Sequence, residues 1–261
     1  MPTPAPTIVA ISLKMYFSCA RALDYSKQLA TFAMEDEGVR SGATELVLLP
    51  SFVSIPSALT ASEGTNMRVG AQDLAAEDSG AFTGEVSGAE LAEIGCTHVE
   101  VGHAERRSLF GESDAVVAAK TGAALRNGLI PILCVGEHSA THPAWAAGAC
   151  VEQVLSALPS GSTDTANPRV IVAYEPYWAI GAAQPAPTGY VADVCQRVRA
   201  ALADHLDDVT IIYGGSAGPG LLTDLGGDVD GLFLGRFAHD PHAVAGVLAE
   251  AAVHGRLSRR S

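Results

Sequence analysis

The chain has 261 residues, of which 48% are hydrophobic and 17% are charged, and this composition excludes an intrinsically disordered protein. The 29 acidic residues outnumber the 16 Lys and Arg, so the net charge is -13. Such a surface argues against nucleic acid or an anionic membrane as a partner. The length suits one barrel of alternating strands and helices, or two small domains.

The five cysteines predict neither a disulfide scaffold nor a zinc site, because their number is odd and no pair has C-x-x-C spacing. We expect free thiols in the cytoplasm, and neither a metal ion nor an organic cofactor. No apolar run approaches the roughly 20 residues of a membrane helix. Residues 1–7 lack the features of a signal peptide and are predicted to be a frayed leader, and residues 255–261 a tail.

Eight short runs rich in Val, Ile and Leu predict strands that are buried on both faces of a parallel sheet. In chain order they are Ile8–Leu13, Glu45–Leu49, Met67–Gly70, His98–Val101, Ile130–Val135, Val170–Tyr174, Thr210–Tyr213 and Gly231–Leu234. The longer amphipathic segments that follow each run predict helices. These are Ala20–Glu37, Ser54–Glu63, Ser87–Ile94, Asp114–Asn127, Ala144–Leu158, Val191–Leu206, Gly220–Leu225 and Pro241–Val253, with Asp114 as an N-cap and Gly128 as a helix stop.

Eight strands that are each followed by a helix predict a (β/α)8 barrel that uses residues 1–261 as a single domain. A doubly wound open sheet remains the alternative, because alternation alone does not separate a closed sheet from an open one. No linker divides the chain. The most loop-like stretches, Pro159–Arg169 and Ala182–Gly189, each lie between a helix and a strand.

Polar residues follow several predicted strands, at the end where a barrel carries its functional groups. Lys14 follows the first strand, His103 the fourth and Glu175 the sixth. A carboxylate can remove a carbon-bound proton, a histidine can polarise the oxygens, and a lysine can stabilise an enediolate. Glycine-rich turns after the last two strands, Gly214-Gly215-Ser216 and Gly235-Arg236, can offer N–H groups to a phosphate. The sequence therefore predicts proton transfer beside a carbonyl.

Each of these residues alone also fits a simpler interpretation. A lysine at a strand end is usually solvated, a lone histidine is usually structural, and Glu105-Arg106-Arg107 fits an exposed charge run. The segment Gly214–Gly218 matches the G-x-S-x-G pattern of serine hydrolases, but only one predicted strand follows it, which disfavours that function. Asp224–Gly231 carries three acids without calcium-loop spacing and predicts an exposed turn. The convergence of a lysine, a histidine and a carboxylate at one end of the barrel favours the proton-transfer site.

Seven ordered motifs between Lys14 and the last helix resemble those of the triosephosphate isomerase family. They are Gly70–Asp73, Gly80–Glu85, Val101–Arg107, Phe110–Ser113, Cys134–Glu137, Ala173–Gly181 and Tyr213–Ser216. The resemblance implies a single (β/α)8 TIM barrel that isomerises a small phosphorylated sugar through an enediol(ate), without a cofactor or metal. It also implies a place in cytoplasmic carbohydrate metabolism, such as glycolysis.

The resemblance implies a role for each group at the reacting carbons. Glu175 would be the general base, and His103 the neutral electrophile. Lys14 would be the cation beside the carbonyl and the phosphate, and Glu105 would support that lysine.

Backbone groups would bind the phosphate, according to the same resemblance. Gly181, Ser216 and Gly235 would offer it N–H groups, and Pro176–Ala182 would form a mobile lid that excludes water. The loop at Phe82-Thr83-Gly84 would enter a second subunit beside the lysine, which predicts a homodimer.

The sequence departs from the family around the substrate. Ser12 stands where the family has Asn, Leu13 where it has Trp, Ala104 where it has Ser, and Arg236 where it has a second glycine. The lid continues as Ala182–Pro187, where the family has Thr-Gly-Lys. This pattern resembles a branch of the family that converts L-erythrulose 1-phosphate to D-erythrulose 4-phosphate. Ser12 and Arg236 are therefore predicted to line the substrate pocket.

A tetrulose phosphate carries a hydroxymethyl group on the reacting carbon, where the triose has only hydrogen. Ser12 removes volume there relative to Asn and keeps a hydroxyl. Pocket shape discriminates by only about 1–3 kcal/mol per methylene, which is compatible with activity on both substrates. The alternatives are a true triosephosphate isomerase and, from another class, a non-catalytic phosphosugar-binding paralogue. The Arg236 side chain could add charge at the phosphate or pair with a surface acid.

Overall fold

The computed structural model describes residues 5–159, 169–206 and 208–257. Thr7 belongs to the first strand, so the predicted leader at 1–7 overlaps that strand, and residues 1–4 lie outside the described part. The last helix runs to Leu257 and overlaps the predicted tail, of which residues 258–261 are not described. Most of the predicted loop Pro159–Arg169 also lies outside the described residues.

Eight parallel strands form a closed barrel in which each strand pairs with the next along the chain and the eighth pairs with the first. They are β1 (Thr7–Ser12), β2 (Thr44–Leu49), β3 (Arg68–Ala71), β4 (His98–Val101), β5 (Ile130–Val135), β6 (Ile171–Tyr174), β7 (Thr210–Tyr213) and β8 (Gly231–Leu234). Every predicted strand agrees with the observed one to within one residue at either end. The (β/α)8 TIM barrel is confirmed, and the open sheet is wrong.

Helices pack around the outside of the barrel. They are α1 (Cys19–Glu35), α2 (Glu37–Ser41), α3 (Ile55–Ser62), α4 (Gly88–Glu93), α5 (Ala104–Phe110), α6 (Asp114–Arg126), α7 (Pro143–Ala157), α8 (Thr188–Leu202), α9 (Leu221–Leu225) and α10 (Pro241–Leu257). Short 3-10 turns lie at Phe52–Ser54, Tyr177–Ala179, Gly226–Asp228 and Arg236–His239.

The sequence does not predict α2 or α5. The predicted helix Ala20–Glu37 ends earlier, at Glu35, because Asp36 has extended backbone and caps the separate helix α2 with its side chain. The first turn of α5 carries consecutive charged residues and has no apolar period that would reveal it. At α6 the N-cap is Ser113 and not the predicted Asp114, whereas Gly128 follows the helix in the left-handed conformation (φ 72°), as a helix stop requires.

The interior of the barrel is filled unevenly, because alternate residues of each strand point inward. Ten buried apolar residues fill most of it: Ile8, Ala10, Val47, Leu49, Ile132, Cys134, Ile171, Ala173, Ile212 and Phe233. β4 contributes none of them. Its inward residues are His98 and Glu100, which alternate with Val99 and Val101 of the outer core. The barrel interior is therefore polar along this strand, on which Glu100 lies nearer the carboxyl end.

Within the described residues, no helix is long and apolar enough to cross a membrane. The same part of the chain holds no group of three or more His, Cys, Asp or Glu that could bind a metal ion. All five cysteines are free, and of these only Cys19 is exposed.

Candidate active site

A cavity of about 600 Å³ opens at the carboxyl ends of the strands, which is within the usual size range of small-molecule sites. All nine predicted site residues line it: Ser12, Lys14, His103, Glu105, Glu175, Gly181, Ser216, Gly235 and Arg236. Ser12 is the last residue of β1, and the others come from the segments that follow β1, β4, β6, β7 and β8. The barrel thus brings together residues that are up to 224 positions apart in the chain, from 12 to 236.

Lys14 is held beside the cavity as a cation. Its Nζ donates a hydrogen bond of 2.6 Å to Glu105 Oε1. Burial lowers the pKa of Lys14, but the hydrogen bond and charge of Glu105, with the charge of Glu175, raise it by more. Lys14 and Ser216 are the two described residues other than glycine with left-handed backbone, at φ 49° and 56°. Such strain is found preferentially at functional sites, and both residues line this cavity.

His103 presents one ring nitrogen to the helix α5 and the other to the cavity. Its Nδ1 accepts a 3.1 Å hydrogen bond from the backbone N–H of Glu105, which makes His103 the N-cap of α5. Because Nδ1 accepts, the proton of the neutral ring is assigned to Nε2. Nε2 lies 3.6 Å from Glu175 Oε2 and 3.8 Å from Glu100 Oε1. The ring can therefore donate a proton towards the cavity.

Glu175 follows β6 and is 4% exposed, yet one of its carboxylate oxygens lacks a partner. Oε2 has no hydrogen bond among the described residues, although buried polar atoms are normally paired. Gly214 makes room for this side chain, since a Cβ atom there would lie 2.6 Å from Glu175 Cγ. An unpaired carboxylate oxygen that faces a histidine and a lysine is free to accept a proton from a bound molecule.

The segment after Glu175 folds down over the cavity. Ser216 Oγ lies 2.8 Å from the carbonyl oxygen of Ala179 and 3.0 Å from that of Ala182, and it can donate to either. The Tyr213 hydroxyl accepts a 3.1 Å hydrogen bond from the N–H of Ala186. These contacts hold the segment from Ala179 to Ala186, which spans the predicted lid and its continuation, against the strand ends.

The Arg236 side chain belongs to the lid contacts. Its Nη2 donates a 2.8 Å hydrogen bond to the carbonyl oxygen of Gly181, a contact that differs from the predicted alternative of a surface-acid partner. Ser216 Oγ contacts the carbonyl oxygens of Ala179 and Ala182 and, among the described residues, no histidine, which leaves the hydrolase pattern without a base there. In the segment predicted as an exposed turn, half-buried Asp230 instead accepts hydrogen bonds from the Ile211 N–H and from Arg199.

Sequence reasoning missed Glu100. Ser12 Oγ donates a 2.8 Å hydrogen bond to Glu100 Oε2 inside the barrel. Burial, with the nearby charge of Glu175, raises the pKa of Glu100 to about 7, although His103, Ser12 and Lys14 oppose the shift. One signal in the sequence could have revealed it: an acid inside a strand that is predicted to be buried on both faces.

Comparison with known proteins agrees with this geometry. The family model described as triosephosphate isomerase matches residues 7–251. The chain is 46% identical over 249 residues to an L-erythrulose-1-phosphate isomerase from Pectobacterium atrosepticum, with 93% of this chain and 95% of that protein covered. It is 39% identical over 252 residues to a triosephosphate isomerase from Symbiobacterium thermophilum, with 94% and 96% covered. The chain therefore belongs to the triosephosphate isomerase family and is a sugar-phosphate isomerase.

Proposed function

We propose that this enzyme interconverts L-erythrulose 1-phosphate and D-erythrulose 4-phosphate through an enediol(ate). The observation that carries the proposal is the unpaired Glu175 Oε2, which lies 3.6 Å from His103 Nε2 in a cavity that also holds Lys14. Ser12 and Arg236 line the same cavity and support the four-carbon substrate, as does the 46% identical relative of that name. The alternative is conversion of D-glyceraldehyde 3-phosphate to dihydroxyacetone phosphate, which the 39% identical relative favours.

The reaction moves a ketone by one carbon without net oxidation. Glu175 removes the proton from C3 of L-erythrulose 1-phosphate, while His103 donates from Nε2 to the oxygen on C2. His103 then takes the hydroxyl proton from the oxygen on C3, and Glu175 returns its proton to C2. A glutamate base with a neutral histidine is the arrangement for which triosephosphate isomerase is the standard worked example.

Lys14 stabilises the negative charge that develops on the oxygens. Its ion pair with Glu105 fixes the position of Nζ, and its raised pKa keeps it charged throughout the neutral range. In a chain with a net charge of -13, Lys14 and Arg236 provide the local positive charge that an anionic sugar needs.

The phosphate binds to backbone N–H groups of Gly181, Ser216 and Gly235, beneath the lid. Closure of the lid excludes water from the enediolate, which would otherwise lose its phosphate by elimination. Ser216 and Tyr213 hold the lid closed through the hydrogen bonds to Ala179, Ala182 and Ala186.

The same proposal includes a homodimer in the cytoplasm. Residues 82–84 lie exposed between β3 and α4, and Phe82 is 44% exposed, which suits insertion into a second subunit. The free thiols support a reducing compartment. Sedimentation equilibrium of the wild type and of Phe82→Asp tests the dimer, with a monomer expected only for the variant.

The substrate is tested by kcat/KM on L-erythrulose 1-phosphate and on D-glyceraldehyde 3-phosphate, with Glu175→Gln as the inactive control. We expect a preference of at least about 10-fold for the tetrulose, the scale that one methylene-sized group provides. A preference for the triose would establish the alternative. No turnover of either substrate would contradict both the proposal and its alternative.

A further inference from the structure

Glu100 occupies a place in the barrel interior that an apolar side chain fills on most other strands. It is 3% exposed, and its hydrogen-bond partner among the described residues is Ser12. The nearest lysine, Lys14, pairs with Glu105 instead. Burial of a carboxylate without a cation costs several kcal/mol relative to an apolar residue. A stabilising role therefore does not account for Glu100.

The contact with Glu100 limits what Ser12 can offer to the cavity. A serine hydroxyl has one proton and two lone pairs. Because Oγ donates its proton to Glu100 Oε2, only lone pairs remain for a bound molecule. Ser12 can then accept a hydrogen bond from the substrate and cannot donate one. An asparagine at this position would carry an amide donor as well.

The Ser12–Glu100 pair lies on the side of the cavity where the reacting carbons bind. Glu100 Oε1 is 3.8 Å from His103 Nε2, which is itself 3.6 Å from Glu175. The glycines that are proposed to bind the phosphate, Gly181 and Gly235, follow β6 and β8 instead. A substituent on the reacting carbon is thus the part of the substrate that meets Ser12.

We propose that Glu100 is a positioning residue that makes Ser12 an obligate acceptor, so that the pair selects a substrate with a hydroxyl group on the substituent of the reacting carbon. This inference rests on the proposed function, because the hydroxymethyl group of a tetrulose phosphate supplies that hydroxyl. A triose phosphate has none at this place and gains nothing from the pair.

The selection depends on pH. The charged and titratable groups that face Glu100 are Lys14 after β1, Cys134 on β5, His103 after β4 and Glu175 after β6. Burial and Glu175 raise the pKa of Glu100 to about 7. Below that pH the carboxyl group carries a proton and can donate a hydrogen bond to Ser12. The Ser12 hydroxyl is then free to donate its own hydrogen bond to a molecule bound in the cavity. The preference for a hydroxyl donor therefore weakens as the pH falls through about 7.

A double-mutant cycle tests the pair with L-erythrulose 1-phosphate and dihydroxyacetone phosphate as the two substrates. We expect Ser12→Ala and Glu100→Leu each to lower kcat/KM for the tetrulose by about 10-fold, and for the triose by less than about threefold. The double variant should lose no more than either single one. The matched control Glu100→Gln keeps the side-chain volume and an acceptor oxygen, so it should retain most of the preference.

The pH profile of the ratio of the two kcat/KM values separates positioning from a structural role, since titrations common to both substrates cancel. The wild-type ratio should rise between pH 6 and 8, and that of Glu100→Gln should stay flat. Equal losses on both substrates, or additive losses in the double variant, would overturn this inference and leave the proposed function intact. A wild type that prefers the triose would instead overturn the proposed function, and hydroxyl selection with it.

Discussion

The interior of the barrel contains two polar layers, which differ in how their carboxylates are paired. At the amino-terminal end, Glu45 on β2 lies 3.3 Å from His98 Nε2 and forms a salt bridge with Arg169. At the carboxyl end, Glu100 lies two residues after His98 on the same strand and accepts from Ser12. Burial raises the pKa of both acids, but His98 and Arg169 lower that of Glu45 to about 2, whereas that of Glu100 rises to about 7.

The difference separates residues that stabilise the fold from residues that serve the reaction, within the interior of one barrel. In the lower layer the Glu45 carboxylate is paired with Arg169, which lowers its pKa, so this charge contributes to folding. Among the described residues, the upper layer leaves Glu100 without a lysine or arginine partner and Glu175 Oε2 without a hydrogen bond, and these costs lie where the substrate is proposed to bind. Substitutions in the upper layer should therefore change activity, and substitutions in the lower layer should change stability.

The largest effect is expected at Glu175. Glu175→Asp should lower kcat by about 10²–10⁴-fold, the contribution of general base catalysis, with little change in KM, because the shortened side chain lies too far from the carbon. The free energy of unfolding should not fall. Steady-state kinetics and urea unfolding measure both quantities, and unimpaired kcat would refute the assignment of the base.

Glu45→Gln should remove the ion pair of the lower layer and lower the free energy of unfolding. The folded pKa of about 2 lies below the ordinary value of 4.5, which corresponds to about 3 kcal/mol of stability above pH 4.5. The wild type loses this contribution as the pH falls from 4.5 to 2, and the variant lacks it at every pH. Urea unfolding at pH 7 and pH 3 measures the difference, with kcat expected to stay unchanged. The control is Glu37→Gln, which removes an exposed ion pair with Arg40. It should lower the free energy of unfolding far less than Glu45→Gln does.

Glu100→Gln should change the free energy of unfolding in the opposite direction to Glu45→Gln. Its folded pKa lies above the ordinary value, so the wild type loses stability as the pH rises from 4.5 through 7. Removal of the charge should raise the free energy of unfolding at pH 8 by up to about 3 kcal/mol, and by almost nothing at pH 4.5. Destabilisation at pH 8 would mean that the carboxylate is satisfied and that the two layers do not differ.

The smallest effect is expected at the lid. Tyr213→Phe removes the hydroxyl that accepts from the Ala186 N–H, a net loss of about 0.5–1.5 kcal/mol in the closed state. This corresponds to a decrease in kcat/KM of about 2- to 12-fold. The free energy of unfolding in urea should fall by less for Tyr213→Phe than it does for Glu45→Gln. An unchanged kcat/KM would show that lid closure does not use this contact.

The sequence predicts the strands and the meeting of Lys14, His103 and Glu175, because parallel strands in a closed barrel place their carboxyl ends at one rim. It does not predict α5, whose first turn carries consecutive charges. It also gives no indication that Arg236 bonds to the Gly181 carbonyl oxygen. Such contacts depend on neighbours that are distant in the chain, as does the divergence of the pKa values of the two acids inside the barrel.

Isomerisation in heavy water tests the transfer of a carbon-bound proton by Glu175 most directly. NMR would follow deuterium at C3 of L-erythrulose 1-phosphate and at C3 of D-erythrulose 4-phosphate, which is the former ketone carbon, with the wild type and with Glu175→Gln. Wild-type enzyme should introduce deuterium at the carbon next to the phosphorylated one as D-erythrulose 4-phosphate forms, and the variant should introduce none over the same time. Deuterium incorporation and turnover that are undiminished in the variant would contradict proton transfer by this carboxylate.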